Sequence, residues 1–268
     1  MGSFRADFAT SDDILLEATN GRLSGHGPLT VKDSGRIGPI VEMSLAAIQH
    51  PGQYGAIFFE GEFAPKLQSA LETGRPFGGD FRARAGTFPF DLNNPVTADD
   101  LRWSQWCLHI ENVAKLSGFD AELVAGLMGA MEEMQDNIYA HSGAPDTGLA
   151  AFAVSPTAFE LVVADRGVGV LNTLRQNPAY AHLTDSGAAL QKAIEPGVSR
   201  FPAEEGRGRG FTQMYRALVR DRTEIRFRSG DHSLTLRLGS DPMHGEFALA
   251  QAAPLTGFTI SMVCRGRS

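Results

Sequence analysis

Three short polar segments follow one another in the second half of the chain, each on a different kind of predicted element. Residues 133–141 read Glu-Met-Gln-Asp-Asn-Ile-Tyr-Ala-His and lie within a predicted helix. Residues 165–169 read Asp-Arg-Gly-Val-Gly and follow an apolar run, which predicts a carboxylate at the end of a buried strand. Residues 206–210 read Gly-Arg-Gly-Arg-Gly and precede a predicted helix, an arrangement that presents backbone N–H groups to phosphates. Together the three segments predict a nucleotide site.

The helical segment carries three polar residues on one face. Glu133, Asn137 and His141 recur every four residues, so they form one row along a helix. Glu132 is offset from that row by about 100°. The spacing therefore selects Glu133 as the candidate base for a water or hydroxyl nucleophile, although two adjacent glutamates also fit a solvated helix face. Asn137 offers an amide oxygen, which is a suitable ligand for Mg²⁺.

The loop residues also have roles that follow from their chemistry. Asp165 at a strand end can accept the exocyclic N–H of adenine, or it belongs to an ordinary Asp-x-Gly turn. Gly167 and Gly169 allow the backbone to pass close to the base. Arg207 and Arg209 are fixed cations with forked donors, so they are candidates for direct phosphate contacts. The glycines around them predict the hinge of a mobile lid over the triphosphate.

The order and spacing of these segments resemble the GHKL superfamily, which includes DNA gyrase, the ninety-kilodalton heat-shock chaperones, histidine kinases and the MutL mismatch-repair ATPases. Residues 133–137 are similar to its N box, residues 165–169 to its G1 box and residues 206–210 to its G2 box. The resemblance covers roughly residues 98–264. It implies the Bergerat ATP-binding fold, with Mg²⁺ and ATP as ligands.

His141 and Thr256 complete the predicted site. His141 lies one turn past Asn137, where it resembles the anti-sigma-type kinases of the superfamily. It either hydrogen-bonds a phosphate or stabilises the C-terminus of its helix as a cation. Thr256 matches the last-strand threonine that helps to hold adenine in the superfamily. With Glu133 as the catalytic residue and Asn137 also as the metal ligand, the predicted nucleotide contacts are Asn137, His141, Asp165, Gly167, Gly169, Arg207, Gly208, Arg209, Gly210 and Thr256.

The chain divides into two predicted parts. Residues 1–95 are predicted to form a small α/β unit, for which the sequence indicates no role. Residues 96–268 are predicted to form the ATP-binding domain. The predicted class is α+β, a Bergerat-type sandwich with helices on one face of a mixed, mainly antiparallel sheet. In the first part the patterns predict strands at 28–31 and 54–59, helices at 38–50 and 63–73, and a loop or linker at 74–95. In the second part they predict helices at 97–116, 120–141, 171–176, 187–194 and 211–219, and strands at 149–154, 159–164, 223–227, 233–238 and 258–263.

Composition restricts the partners. A net charge of −7 argues against general nucleic-acid binding, because there is no basic excess to neutralise a phosphate backbone. No apolar run approaches the length of a transmembrane helix, so no membrane partner is expected. Cys107 and Cys264 are far apart and lack metal-ligand spacing. They indicate buried thiols in a reducing compartment, and we expect a cytoplasmic protein.

Two classes of function stay open. The first is a regulatory ATPase or serine/threonine protein kinase whose substrate is the hydroxyl of a partner. The second is a non-catalytic interaction module in which ATP orders the lid and so changes partner binding. Both imply a protein partner, and both allow a homodimer. A phosphoaccepting histidine kinase is not expected, because His109 lies only 24 residues before Glu133, too close for a dimerisation hairpin.

Overall fold

The computed structural model has eight α-helices and eight strands among the residues that it describes. They form a small parallel sheet and a larger antiparallel sheet. None of the described helices combines the length and the apolarity needed to cross a membrane. The described residues are 2–22, 29–54, 57–78, 82–93, 95–96, 100–195, 197–198, 223–237 and 247–266.

The N-terminal unit is a three-stranded parallel sheet with helical connections, as parallel pairing requires. Its strands lie side by side in chain order. The helices at 38–50 and 63–73 and the strands at 28–31 and 54–59 are confirmed within a few residues, whereas the first strand and first helix were not predicted. The elements are β1 (Gly2–Arg5), α1 (Phe8–Thr19), β2 (Leu29–Lys32), α2 (Gly38–Gln49), α3 (Pro51–Tyr54), β3 (Ile57–Glu60) and α4 (Ala64–Thr73).

The larger sheet is antiparallel throughout and has the order β4-β5-β6-β8-β7. The predicted α+β class is therefore confirmed. The strands are β4 (Ala85–Pro89), β5 (Leu149–Val154), β6 (Ala158–Asp165), β7 (Thr223–Leu236) and β8 (Ala248–Arg265). The helices are α5 (Leu101–Leu116), α6 (Ala121–His141), α7 (Gly169–Leu174) and α8 (Ser186–Ala193).

Several local predictions need correction. The predicted loop or linker at 74–95 contains β4, which pairs with β5 along its whole length. The two strands predicted at 223–227 and 233–238 are one long strand, β7, because an irregularity at Ser229–His232 interrupts the alternation without ending the pairing. The helix predicted at 97–116 begins at Leu101, where Asp100 caps it by accepting the backbone N–H of Arg102. The predicted helix at 211–219 lies outside the described residues.

The larger sheet has a hydrophobic core on each face. On the front face, Leu161 and Val163 of β6 pack in one core with α5 and α6. On the back face, Val162 and Ala164 pack in a second core with the N-terminal unit. This division follows from the alternation of side chains along a strand. The N-terminal unit therefore covers the back of the sheet, opposite α6.

Buried hydrogen bonds and ion pairs fix the N-terminal unit to the back face of the larger sheet. Glu160 of β6 is fully buried and accepts a hydrogen bond from the backbone N–H of Gly38, at 3.1 Å. Arg226 of β7 donates through Nε to Glu42 of α2, at 2.9 Å, and through Nη2 to Asp12 of α1, at 2.7 Å. Since a buried charge is costly unless it is paired, these contacts specify how the unit packs on the sheet.

Candidate functional site

Helix α6 presents the polar row beside its buried face. Asp120 caps the helix by accepting the backbone N–H groups of Glu122 and Leu123. The apolar residues on the other side of α6 pack in the front core. Glu133 and Asn137 are half-buried, whereas Glu132 is exposed. The two neighbouring glutamates therefore lie in different environments.

The environment of Glu133 changes its acidity. Burial, and after it the nearby Asp136 carboxylate, raise the pKa of Glu133 above its usual value. A carboxylate with a raised pKa accepts a proton more readily than an ordinary surface carboxylate. The role of Glu133 as a general base stays a prediction, with which a raised pKa is compatible.

Asn137 has a side-chain atom that lacks a partner. Its Nδ2 is buried and makes no hydrogen bond within the described structure, which is costly for a neutral amide. A half-turn of the amide exchanges Nδ2 and Oδ1, so the same position can hold an oxygen. Among the described residues, no three His, Cys, Asp or Glu side chains are grouped to hold a metal. An amide oxygen at this position could serve as a protein ligand of Mg²⁺, with phosphates and waters as the other ligands.

The loop after β6 is bonded directly to the end of α6. The backbone N–H of Val168 donates to the carbonyl oxygen of Ser142 at 2.8 Å. The hydroxyl of Thr173 in α7 lies within hydrogen-bond distance of two carbonyl oxygens, that of Gly169 at 2.8 Å and that of His141 at 3.2 Å. Asn137 precedes Ser142 by five residues, or about 7.5 Å along the helix. The first two predicted segments are therefore neighbours in space, and the backbone of His141 belongs to the contact between them.

Asp165 is the last residue of β6 and is nearly buried, with 4% of its surface exposed. By strand alternation it lies on the front face, the face that α6 covers. Its Oδ1 accepts the backbone N–H of Gly167 at 2.7 Å. Burial raises the pKa of Asp165 to about 6, against the opposing effect of the backbone N–H groups of Gly167 and Phe258.

The glycines around Asp165 have a packing role. A Cβ on Gly167 would overlap the carbonyl oxygen of Ser142, so only glycine lets the loop approach the end of α6. Gly169 has a φ of +74° and begins α7, and a Cβ there would lie 2.9 Å from Oγ of Ser229. Both glycines were predicted from an approach of the backbone to a base. In the structure, contacts within the protein account for each glycine, and the approach to a base stays a prediction.

Thr256 lies on β8, two residues before Phe258, which pairs with Asp165. Its side chain is exposed. Its backbone N–H donates to Oε1 of Gln49 at 2.8 Å, and its carbonyl oxygen accepts Nε2 of Gln49 at 3.1 Å. The backbone of Thr256 is thus held by α2 of the N-terminal unit.

Ser229 and Gly257 also shape this region, and the sequence patterns did not select them. Buried Ser229 donates its hydroxyl to the carbonyl oxygen of Gly257 at 2.8 Å and accepts the backbone N–H of Val170 at 3.0 Å. Gly257 has a φ of +87°, and a Cβ there would overlap the carbonyl oxygen of Asp165. The sequence signal for the irregular pairing here is the Ser229-Gly230 pair, which interrupts the alternation of side chains along β7.

The third predicted segment lies outside the described residues. Its predicted phosphate contacts are Arg207, Gly208, Arg209 and Gly210. No protein-family model matches the chain, and no curated protein is significantly similar to it in sequence. Within the described residues, the candidate site comprises the two segments that meet at the end of α6, together with β7 and β8.

Proposed function

We propose that the protein binds Mg²⁺ and ATP in front of the larger sheet and has a weak ATPase or phosphotransfer activity used in regulation. The observation that carries the proposal is the junction of α6 with the loop after Asp165, through the hydrogen bond between Val168 and Ser142. It brings a nearly buried carboxylate close to a helix that bears Glu133 and Asn137. Asp165 can recognise a nucleobase, Glu133 can accept a proton, and Asn137 offers an amide. This combination suits a purine nucleotide better than a general anion.

Adenine recognition follows from how Asp165 is held. Oδ1 accepts the N–H of Gly167, and because each carboxylate oxygen has two lone pairs, the group can also accept the exocyclic N–H of adenine. Guanine has a carbonyl oxygen at the same ring position, and it would meet the carboxylate as a second acceptor. Asp165 therefore favours adenine over guanine.

Phosphoryl transfer is assigned to Glu133. When bound, Mg²⁺ would neutralise charge on the triphosphate, with Asn137 as its protein ligand. The oxygen of a water, or of a hydroxyl on a protein partner, forms a bond to the γ phosphorus while the bond from that phosphorus to the ADP oxygen breaks. Glu133 orients the nucleophile and takes its proton. Cys107 and Cys264 are both free and buried, which supports a cytoplasmic location.

Calorimetry tests this proposal. Wild-type protein is titrated with ATP, ADP and GTP, with and without Mg²⁺, and the same series is run on Asp165→Asn. The variant keeps the size of the side chain, but once its oxygen accepts Gly167 it presents an NH₂ group to the N–H of adenine. We expect Mg²⁺-dependent binding of ATP, weak or no binding of GTP, and loss of ATP binding in the variant. Equal affinities of wild type and Asp165→Asn for ATP would overturn the proposal.

A further inference from the structure

Strand β8 contains a bulge beside the proposed adenine site. Ser229 of β7 pairs with Phe258, but the next residue, Gly230, pairs with Leu255. Residues 256 and 257 therefore have no counterparts on β7. Leu255 is buried in the back core and Phe258 packs against the front core, so the alternation of faces along β8 continues across this bulge.

A side chain from the N-terminal unit supplies the hydrogen bonds that the bulge lacks. A bulge leaves backbone groups without strand partners. At Thr256 both groups are satisfied by the side-chain amide of Gln49, the last residue of α2, which accepts the N–H at 2.8 Å and donates to the carbonyl at 3.1 Å. One amide thus replaces the two ladder bonds that a partner strand would have made.

The bulge in turn fixes the loop that follows Asp165. Gly257 lies against the carbonyl oxygen of Asp165 so closely that no Cβ fits between them. The carbonyl oxygen of Gly257 accepts the hydroxyl of Ser229 at 2.8 Å, and that hydroxyl accepts the N–H of Val170 at 3.0 Å. A continuous series of contacts therefore runs from Gln49 through the bulge to the start of α7.

We infer that Gln49 is a positioning residue through which the N-terminal unit sets the affinity of the adenine site. This inference rests on the proposed function for its effect on binding. The N-terminal unit then contributes to nucleotide binding, because α2 holds the bulge at residues 256 and 257, which contacts Asp165. The other end of α2 is fixed to the same sheet by Glu160, so the helix is a rigid support for the bulge.

The test compares Gln49→Met with Gln68→Met. Methionine approximates the length of glutamine but makes neither hydrogen bond. Gln68 also lies on the N-terminal unit, but its amide donates to Glu72 one turn along the same helix, at 2.9 Å. Both full-length variants are first compared with wild type by thermal unfolding.

Hydrogen exchange measured by mass spectrometry, without nucleotide, gives the first readout. Gln49→Met should accelerate exchange at residues 256–258 and also at residues 167–170, with no general acceleration, and Gln68→Met should leave both segments as in wild type. Acceleration confined to 256–258 would overturn the inference, and so would equal acceleration over the whole chain, which indicates only lost stability.

Binding gives the second readout. Affinities for adenosine, ADP and ATP should fall by one common factor of about 3 to 10 in Gln49→Met, because the bulge lies against the base-reading residue and one hydrogen-bonded pair is lost. Unchanged adenosine affinity, in a variant whose 167–170 exchange is accelerated, would also overturn it. If wild type binds none of the three ligands, the proposed function fails, while the exchange experiment still decides whether Gln49 positions the loop.

Discussion

Glu160 of β6 accepts a 2.6 Å hydrogen bond from the backbone N–H of Ile37, the residue that precedes α2. The same carboxylate accepts the N–H of Gly38 at 3.1 Å and the hydroxyl of Ser261 at 2.8 Å. Backbone N–H groups at the start of a helix favour a negative charge, so the carboxylate and the helix stabilise each other. One residue of the larger sheet thereby fixes the helix that carries Gln49.

Glu160→Ala should strongly destabilise the protein. The change leaves buried N–H and hydroxyl donors without an acceptor, so we expect the free energy of unfolding to fall by about 3 kcal/mol. Urea unfolding measures the effect, and Glu160→Gln, which keeps the shape and one acceptor, should lose less. Glu62→Ala is the control, because Glu62 is exposed and should change stability by less than about 0.5 kcal/mol. Equal effects at 160 and 62 would contradict the buried network.

Glu133→Gln should separate turnover from binding. The amide cannot take a proton from the nucleophile, so phosphate release or transfer to a partner should fall by about 10²- to 10⁴-fold, whereas ATP affinity should change little. Glu132→Gln is a matched control on the exposed side of the same helix and should retain activity. If wild type shows neither release nor transfer while ATP still binds, the protein is a nucleotide-switched interaction module instead of an enzyme.

Asn137→Ala should affect only the metal-dependent part of binding. Removing the amide takes away the proposed protein ligand of Mg²⁺ and also the buried Nδ2 that lacks a partner. We expect ATP affinity in the presence of Mg²⁺ to fall about tenfold or more, and adenosine affinity to stay within about twofold of wild type. Calorimetry with each ligand, with and without Mg²⁺, measures both. A parallel loss of adenosine binding would show that Asn137 shapes the base pocket instead.

The acidity of Asp165 predicts a pH-dependent stability. Burial raises the pKa of Asp165 from the usual 3.8 to about 6, so the unfolded chain releases this proton at a lower pH than the folded protein does. Between pH 4 and pH 6 the folded state binds more protons, and stability from this residue therefore falls as pH rises, by roughly 3 kcal/mol in total.

Asp165→Asn should remove that fall. We expect the variant to equal wild type in free energy of unfolding near pH 4 and to exceed it near pH 8, even though it has lost ATP binding. Urea unfolding of both proteins across this range gives the difference, in which other titrating groups cancel. Curves that stay parallel from pH 4 to pH 8 would show that Asp165 titrates normally. We therefore expect the negative charge of Asp165 to lower the free energy of unfolding. Residues that serve binding often reduce stability in this way.

The sequence predicted the elements whose signals are local. Helix α6 follows from Asp120 as its cap and from a regular apolar face, and β5 and β6 follow from uninterrupted apolar runs. The neighbourhood of Asp165 and α6 was expected only from a family resemblance, because no local pattern states which segments meet. In the structure, the hydrogen bond between Val168 and Ser142 joins the loop after Asp165 to the end of α6.

The role of the N-terminal unit could not be predicted, because its contacts are long-range. Glu160 and Ile37 are 123 residues apart, and Gln49 and Thr256 are 207 apart. One signal was available, since Glu160 is a lone carboxylate within an apolar strand, and such a group needs a buried partner. Nothing in the sequence identifies that partner as the start of a helix more than a hundred residues earlier. β4 was missed for a similar reason, because its pairing with β5 defines it more than its own short pattern does.

Gly167→Ala should disrupt the junction on which the proposed site depends. The added Cβ would overlap the carbonyl oxygen of Ser142, and that oxygen is fixed by the N–H of Val168, so the loop has to move away from α6. We expect a loss of about 1–3 kcal/mol in the free energy of unfolding and a loss of ATP binding, since Asp165 is bonded to the same glycine. Gly129→Ala is the control: Gly129 lies inside α6 with open space around its Cα, and alanine there should stabilise the helix by about 0.5–1 kcal/mol. If Gly167→Ala binds ATP as wild type does, the loop does not need its contact with α6, and the two segments do not act as one site.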